Sequence, residues 1–459
     1  MEDAMRNALD QKLAGYRQEM LFHFKELLKI DTVREEPLPG APFGAGARRA
    51  LDYVLELSRR FGLTTVNLDG YIGYSEYGEG DEYVCAIAHL DVVPVGDGWT
   101  HPPFAAEEEA GVLYARGAAD DKPGCIAGLY ALRCLKELGV RPARRIRVIY
   151  GCAEETGMED AAWYLAREPL PLFGFTPDSD GYDIVNAEKG RMEFALSAPL
   201  PPASPLVELR GGLAGNMIPA EVTAVLDAAR LTDAQRQALL RAAGPDTSVT
   251  DEAGRLTLTC RGVSAHAAFP AQGRSALALC ARVLEPVLGD GCDALTRLAA
   301  RMGFDCSGEA LGVACADDFM GPLTLCLCSV ARQKDGLRAV GDIRYPACTD
   351  AAALSRALEA SARGLGLDLE VLSAADGHHC VNEAAFEVLR RVCAGRGKPR
   401  PRCRALAGGT YAKKFAGRLV AFGGCGDKVH APDEFVAVED FYDHAGMVAA
   451  AMARLSTEL

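Results

Sequence analysis

The chain alternates between short apolar runs and longer amphipathic segments. Apolar runs at 83–88 and 145–150 flank an amphipathic stretch at 125–138, and two more amphipathic stretches, 4–28 and 48–61, precede them. Short apolar runs predict buried strands, whereas apolar positions three and four residues apart predict helices. Strand, helix and strand in succession are typical of an α/β domain, so we expect a mostly parallel central sheet flanked by helices.

The pattern changes in the middle of the chain. Between 192 and 382, strand and helix segments carry few acidic clusters and are separated by turn-rich joints such as PLPPASP and AAGPD. Helical periodicity like that of the first part returns with AAFEVLRRVCAG, after residue 383. We therefore predict a discontinuous catalytic domain, 1–191 and 383–459, and an inserted α+β domain, 192–382, which is long enough to consist of two halves.

Composition narrows the class of protein. With 459 residues, 49% of them hydrophobic, the chain is long enough for two or three domains with their own cores. Its net charge of -14 repels nucleic acid phosphates and anionic lipid surfaces. No stretch approaches the roughly 20 apolar residues of a membrane span. We expect neither nucleic acid nor membrane among its partners.

The N-terminal residues and the cysteines predict a cytoplasmic protein. Charged residues interrupt the first twenty positions, so the apolar core of a signal peptide is missing there. The 16 cysteines are scattered without CxxC pairs, and many lie in apolar runs, as Cys85, Cys326 and Cys328 do. This distribution is typical of buried thiols in a reducing compartment rather than of disulfides.

Histidine and acidic residues gather where the apolar runs end. His89 and Asp91 follow the first run, and Glu154 and Glu155 follow the second. Ligand sites of open α/β sheets lie beyond the carboxyl ends of the strands, so we expect these residues to converge at one edge. A carboxylate two residues from a ligand histidine can hold its second ring nitrogen, which is the role predicted for Asp91.

Each of these signals has a structural alternative. A lone His-x-Asp is more often a hydrogen-bonded histidine at a strand end, and Asp120 alone could equally be a turn residue. Charges at the end of an apolar run, such as Glu154 and Glu155, are unfavourable unless they are paired or bind a metal. Those two acids therefore favour a functional site.

Two later residues complete a set of metal ligands. Asp178 lies in FTPDSDG and His430 in DKVHAPDE. The candidate ligands are His89, Asp120, Glu155, Asp178 and His430. Imidazole and carboxylate together suit Zn²⁺, Mn²⁺ or Co²⁺ better than Ca²⁺. We expect two divalent cations, with Zn²⁺ as the first choice and Mn²⁺ or Co²⁺ as alternatives.

The order of these motifs resembles a known family. HLD, GAADDK, EETG, PDSD and HAPDE follow one another as in the di-zinc peptidases and aminoacylases of peptidase family M20, over almost the whole chain. The longer segments AHLDVVPVGDGWTHPPF, RGAADDK, GFTPDSDG, AEKG and GGTYA are most similar to the PepV-type dipeptidases, also called Xaa-His or carnosinase-like dipeptidases. The chain departs from the family in Lys122-Pro123-Gly124, where Lys-Gly-Pro is common.

The resemblance implies a role for each motif residue of the catalytic domain. His89 and Asp178 would bind one metal, Glu155 and His430 the other, and Asp120 would bridge the two. Asp91 would orient His89, and Glu154 would act as the general base. The resemblance also implies a cis peptide bond between Asp120 and Asp121.

In the inserted domain, the resemblance points to Asn216 in GNMIP, His266 in GVSAHAAFP and Arg344 in DIRYP. The asparagine and the histidine would hold the tetrahedral oxygen, and the arginine would bind the substrate carboxylate. Without the resemblance, His266 between alanines would more often be a packed histidine. Asp121 or Asp180 is a guess for the partner of the free amine, and we assign no role to the neighbouring histidines 378 and 379.

The sequence thus predicts a monomeric, metal-dependent dipeptidase for dipeptides with a free N-terminus, which uses a hydroxide bridging two cations. The monomer follows from the resemblance, because the enlarged inserted domain of PepV-type enzymes replaces a partner subunit. One alternative is an N-acyl-amino-acid deacylase or desuccinylase of the same family, since these cleave the same type of bond. The other is a non-catalytic metal- or peptide-binding relative, which the presence of Glu154 disfavours.

Overall fold

The computed structural model describes residues 2–459, with side chains from residue 4 onward. It divides into two compact units. The main unit comprises Met1–Ala187, His379–Arg404 and Gly409–Leu459, and the inserted unit comprises Glu188–His378 and Ala405–Gly408. The predicted borders at 191/192 and 382/383 lie four residues beyond the main junctions. The short second segment of the inserted unit lies in a stretch that we predicted for the catalytic domain.

The first part of the chain alternates helices with strands. Its elements are α1 Glu2–Gly15, α2 Arg17–Leu28, α3 Ala45–Arg60, β1 Thr64–Leu68, β2 Ile72–Tyr77, β3 Tyr83–His89, β4 Glu107–Glu109, β5 Val112–Tyr114, α4 Lys122–Glu137, β6 Arg145–Gly151, α5 Glu159–Leu165, β7 Phe173–Thr176 and β8 Ile184–Glu188. The helix predicted at 4–28 is in fact two helices that meet at Tyr16. Gly15 precedes the break, and glycine is a poor helix former.

The inserted unit is built on one antiparallel sheet. Its elements are β9 Gly190–Pro199, β10 Leu206–Gly211, β11 Glu221–Asp227, α6 Asp233–Arg241, β12 Thr247–Glu252, β13 Arg255–Arg261, α7 Ala276–Leu288, α8 Ala294–Met302, β14 Ala316–Asp317, β15 Gly321–Pro322, β16 Thr324–Gln333, β17 Gly336–Tyr345, α9 Ala351–Gly364 and β18 Asp368–Ala375. The eight strands have the order β12-β13-β11-β10-β16-β17-β9-β18. In its middle, β10 and β16 pair only at Arg210 with Ala331 and at Gly211 with Val330. The sheet therefore consists of two four-stranded halves that meet at a short seam.

The last part of the chain completes the main unit. Its elements are β19 His378–His379, α10 Glu383–Gly395, β20 Cys403–Leu406, β21 Leu419–Ala421, β22 Phe435–Ala437 and α11 Val438–Glu458. The main sheet has the order β1-β2-β6-β3-β7-β21-β8-β19, with β20 paired to β8. Its central strands β6, β3, β7 and β21 are parallel. In contrast, β1 is antiparallel to β2, β2 to β6, and β8 to β21. The predicted α/β fold with an inserted α+β domain is confirmed, with the refinement that the edges of the main sheet are antiparallel.

The central strand β3 is buried on both faces. Val84 and Ala86 on one face belong to the main core, and Cys85 and Ile87 on the other belong to a second cluster. Helix α4 packs closely on β6, because a Cβ on Gly128 would lie 2.9 Å from Val148 Cγ1. Covered faces explain why this strand is an uninterrupted apolar run in the sequence. Within residues 2–459, no helix is both long and apolar enough to cross a membrane.

Candidate active site

Charged side chains converge at the carboxyl ends of the parallel strands of the main unit. The register of β3 and β6 places His89 beside Gly151, so the segments that follow both strands leave the sheet at one edge. The converging residues are His89 at the end of β3, Asp120 before α4, Glu154 and Glu155 after β6, Asp178 after β7 and His430 before β22. The five predicted ligands and the predicted base therefore lie together, as the strand pattern indicated.

Asp120 faces both histidines. His89 Nε2 lies 2.7 Å from Asp120 Oδ1, and His430 Nε2 lies 3.0 Å from Asp120 Oδ2. Glu155 Oε1 lies 2.9 Å from the same nitrogen of His430, and Asp178 Oδ2 lies 4.0 Å from His89 Nε2. The two carboxylate oxygens of Asp120 therefore point to two adjacent groups of donors, as expected of a bridging ligand.

The donor atoms are close enough to hold cations. One group combines His89, Glu154 and Asp178, and another combines His89, Asp120 and Glu155, with the donor atoms of each group within 4.8 Å of one another. Nitrogen and carboxylate donors in this mixture suit Zn²⁺ and similar divalent ions. The residues present thus fit the predicted chemistry of the site.

The electrostatics of the site also favour positive charge. Hydrogen bonds to Asp120 and Glu155 raise the pKa of His430 to about 10. Burial alone lowers the pKa of His89, but the surrounding carboxylates of Asp120, Asp91 and Glu154 together raise this pKa well above the usual range. Burial, together with the charge of Asp178, raises the pKa of Asp121 well above its usual range. A dense group of buried carboxylates needs compensating positive charge, which a divalent cation supplies.

Asp91 contacts both His89 and the turn that carries Glu154 and Glu155. His89 Nδ1 lies 2.9 Å from the backbone carbonyl oxygen of Asp91 but 3.6 Å from its carboxylate. The carboxylate instead accepts hydrogen bonds from the amides of Glu154 and Glu155, both at 3.1 Å. Strand β3 ends at His89, so the strand alternation assumed in the prediction does not extend to Asp91. The carbonyl fixes the ring of His89, and the carboxylate fixes the turn with the two acids.

Glu434 is a residue of the site that sequence reasoning missed. Its carboxylate accepts hydrogen bonds from the amides of Ala119 at 2.8 Å and Asp120 at 3.1 Å, and from Arg116 Nη1 at 2.6 Å. Glu434 and Arg116 are each 1% exposed. Glu434 is the last residue of the motif HAPDE, and Arg116 is the first residue of the motif RGAADDK. Opposite charges in two motifs that converge at one site were the sequence signal that could have indicated this ion pair. The peptide bond between Asp120 and Asp121 is cis, as the resemblance implied.

The predicted residues of the inserted unit form their own polar group. Asn216 Nδ2 lies 3.4 Å from His266 Nε2, and His266 Nδ1 accepts a hydrogen bond from the amide of Ala268 at 3.1 Å. Burial, followed by the positive charge of Arg344, lowers the pKa of His266. Arg344 Nε donates to Asp342 Oδ1 at 2.7 Å, which fixes the guanidinium. Both effects disfavour the protonated form of His266, and Asp342 orients the arginine.

Comparison with known proteins decides the family. The model of peptidase family M20/M25/M40 matches residues 85–454. The chain belongs to this family. M20 peptidases are metal-dependent, and this chain is accordingly a metallopeptidase that acts on peptide bonds. The family resemblance inferred from the motifs is confirmed.

Relatives within the M20 family match along almost their whole length. "Putative dipeptidase YtjP" of Bacillus subtilis (strain 168) is 32% identical over 458 residues, which cover 96% of this chain and 98% of the relative. The Beta-Ala-Xaa dipeptidase of Lactobacillus delbrueckii subsp. lactis is 30% identical over 460 residues, 96% of each chain. The structure of human carnosine dipeptidase 1 is similar with a TM-score of 0.57 at 15% identity, covering 98% of this chain and 99% of that one. This last likeness shows that the fold is shared.

Proposed function

We propose that the protein is a dipeptidase that hydrolyses the peptide bond of dipeptides with a free N-terminus. The observation that carries this proposal is the placement of Asp120 between His89 and His430, with Glu154 in the same cluster. Relatives named dipeptidases, which match along almost the whole chain, support the choice of substrate class. The donor atoms of this cluster also support our proposal of two bound cations, which are preferably Zn²⁺ and alternatively Mn²⁺ or Co²⁺.

The proposed ligands divide into two sets. His89 and Asp178 would hold one cation, Glu155 and His430 the other, and Asp120 would contribute one oxygen to each. When bound, such cations supply Lewis acidity toward water and toward the scissile carbonyl group. Asp91 supports both sets because its carbonyl orients the ring of His89 and its carboxylate holds the amide of Glu155.

Glu154 is the proposed general base. The residue is 8% exposed, and its buried Oε1 has no hydrogen-bond partner among residues 4–459, so this oxygen is free to accept a proton. Burial and the nearby charge of Asp178 raise the pKa of Glu154 well above its usual range, although the charge of His89 lowers it. A carboxylate with a raised pKa is suited to take a proton from the attacking water and to return it to the leaving amine.

The polar group of the inserted unit is the proposed binding site for the substrate's oxygen atoms. Neutral His266 and Asn216 would hold the oxygen of the tetrahedral intermediate, where preorganised donors contribute most to catalysis. Arg344, fixed by Asp342, would bind the free carboxylate of the dipeptide through its planar fork. For the free amine, Asp121 and Asp180 remain the candidate acids, of which Asp121 is buried and Asp180 exposed.

The proposal includes a monomeric protein that works in the cytoplasm on small peptides. The solution mass tests the first part, since a monomer has a mass of 48.8 kDa. A stable dimer under assay conditions would contradict it. The compartment remains a prediction from the composition and the cysteine pattern.

Hydrolysis of a small substrate panel tests the function. Metal-free protein is supplied with Zn²⁺ or Mn²⁺ and given Ala-His, β-Ala-His, Leu-Gly, N-acetyl-Met and N-succinyl-diaminopimelate. We expect cleavage of the dipeptides with a free amine and loss of this activity in Glu154→Ala. Cleavage of the two N-acyl substrates alone would instead make the protein a deacylase, and inactivity on all five with metal bound would make it a non-catalytic relative.

A further inference from the structure

The turn between β6 and α5 carries the proposed base and one proposed ligand. Its residues 152–155 have no regular secondary structure, yet they are buried or nearly buried. Two carboxylates bind the four consecutive backbone amides of this turn. Asp91, which orients His89 in the proposed site, binds the amides of Glu154 and Glu155. The other two amides are bound by a residue that the proposed site has not used.

That residue is Asp160 in the first turn of α5. Its Oδ2 accepts hydrogen bonds from the amides of Cys152 at 2.6 Å and Ala153 at 3.0 Å, and its Oδ1 from Ala161 at 2.8 Å. The side chain is completely buried. A buried carboxylate is unfavourable unless several donors hold it, so its position and the position of the turn depend on each other.

Tyr411 adds a donor from a distant part of the chain. It lies in the GGTYA segment, and its hydroxyl donates to Asp160 Oδ2. The hydroxyl lies against the last residue of β6, because a Cβ on Gly151 would be 1.9 Å from Tyr411 Oη. The ring of Tyr411 also lies edge-on to the ring of His89, with 6.5 Å between the ring centroids. Tyr411 thus contacts both the start of the turn and the acid that holds it.

We propose that Asp160 and Tyr411 are positioning residues that fix the turn 152–155 and thereby the carboxylates of Glu154 and Glu155. The inference rests on the proposed function, since it assigns Glu154 and Glu155 their roles. Asp91 holds the second half of the turn and Asp160 the first half. Loosening either half lets the two acids shift, and a shift of about 1 Å at a reacting group can reduce the rate by about 100-fold.

Two conservative variants and one matched control test this proposal. Tyr411→Phe removes the hydroxyl but keeps the ring, and Asp160→Asn keeps the shape but removes the charge. The control is Tyr164→Phe in the same helix α5, a buried tyrosine whose hydroxyl accepts from Arg147 Nη1 at 2.6 Å and lies 2.9 Å from the hydroxyl of Tyr83. The measurements are kcat and KM for a dipeptide, Zn²⁺ affinity by competition with a chelator, and the melting temperature.

We expect Tyr411→Phe and Asp160→Asn to lower kcat and weaken Zn²⁺ affinity by about 10- to 100-fold, as is usual when the support of a ligand is removed. KM should change by less than about twofold, because neither residue contacts substrate in this assignment. Tyr164→Phe should lower the melting temperature and leave kcat and Zn²⁺ affinity unchanged. Adding Tyr411→Phe to Asp160→Asn should have little further effect, since the tyrosine acts through the aspartate.

The proposal is wrong if Tyr411→Phe and Asp160→Asn behave like Tyr164→Phe, with a lower melting temperature but natural kcat and Zn²⁺ affinity. If Asp160→Asn does not fold, Tyr411→Phe decides, because it removes a single oxygen atom. Should the natural protein cleave no dipeptide, the proposed function fails, and the chelator competition still shows whether Asp160 and Tyr411 position Glu155.

Discussion

Arg116 and Glu434 form an ion pair in the interior of the main unit, with 2.6 Å between Nη1 and Oε2. The guanidinium also lies over the ring of Trp99, 5.1 Å from its centre. Because Glu434 binds the amide of Asp120 as well, the pair connects the loop of this proposed bridging ligand to the segment that carries His430. Arg116 and Glu434 therefore support two proposed metal ligands, Asp120 and His430, from outside the cluster.

Removing the arginine should strongly destabilise the protein. In Arg116→Ala the carboxylate of Glu434 would remain buried without its cation, which typically costs about 3–5 kcal/mol of unfolding free energy. Urea unfolding measures this loss. Arg363→Ala removes an exposed ion pair with Glu359 and should change stability by less than about 1 kcal/mol. Equal effects of the two variants would contradict the role of the buried pair.

Glu154→Gln should abolish most of the catalytic activity. The amide keeps the shape of the side chain but cannot accept the proton, so kcat should fall by about 100- to 10,000-fold with little change in KM. Steady-state hydrolysis of Ala-His measures both constants. Glu159→Gln changes an exposed acid nearby that pairs with Arg34, and it should retain natural activity. A natural kcat in Glu154→Gln would remove this residue from the mechanism.

Metal binding should stabilise the main unit. A cation that binds only the folded protein raises the free energy of unfolding by about 2.7 kcal/mol when its concentration is 100 times its dissociation constant. We expect Zn²⁺ to raise the melting temperature of chelator-treated protein, and the rise to be much smaller in Asp120→Asn, because Asp120 faces both donor groups. An equal rise in natural protein and Asp120→Asn would place the cations elsewhere.

Arg344→Met should impair recognition of the substrate carboxylate. KM for Ala-His should rise by about 10-fold or more. KM for the C-terminal amide of Ala-His, which lacks the carboxylate, should change little. The matched control is Arg338→Met on the same strand β17, where the arginine pairs with Glu370 near the surface. A uniform loss on both substrates would indicate a structural role for Arg344 instead.

His444 should make stability depend on pH. Its ring is completely buried in α11, both nitrogens lack partners among residues 4–459, and burial lowers its pKa to about 4. The unfolded chain, with a pKa near 6.5, binds the proton first as the pH falls, so stability is lost between about pH 6.5 and pH 4. This loss amounts to about 3 kcal/mol.

Replacing this histidine with a residue that does not titrate isolates its contribution. Between pH 7 and pH 4, the natural protein should lose about 3 kcal/mol more unfolding free energy than His444→Met, because only the natural protein carries this titrating group. Urea unfolding at several pH values measures it. Acid-sensitive carboxylates elsewhere affect both proteins equally, so a constant difference would show that His444 is not responsible.

Much of the fold could be predicted because local pattern and burial agree. The run at 83–88 is β3, the run at 145–150 is β6, and the amphipathic stretch at 125–138 is α4, which begins at Lys122. The convergence of the acids and histidines followed from one rule about the carboxyl ends of parallel strands. Each of these strands and helices depends on residues that are close together in the chain, so its pattern can be recognised in the sequence.

Other features depend on contacts between distant residues and could not be predicted. Glu434 binds the amide of Asp120, and Tyr411 binds Asp160, across long sequence separations. Asp160 binds amides seven and eight residues before it, and no periodicity marks any of these partners. The hydrogen bonds that the Asp91 carboxylate accepts from the amides of Glu154 and Glu155 likewise have no signature in the sequence. An amide has the same chemistry at every residue, so its partner is evident only once the chain is folded.

The sheet of the inserted unit is joined less extensively at the seam between β10 and β16 than elsewhere. Strand β10 is joined to β16 by two residue pairs, whereas β17 and β9 are joined by ten. Amide protons that are hydrogen-bonded across this seam should therefore exchange with deuterium much sooner than those in the middle of β17. We therefore expect the two halves to change their mutual twist more easily than either half bends, so that the seam would serve as a hinge inside a continuous sheet.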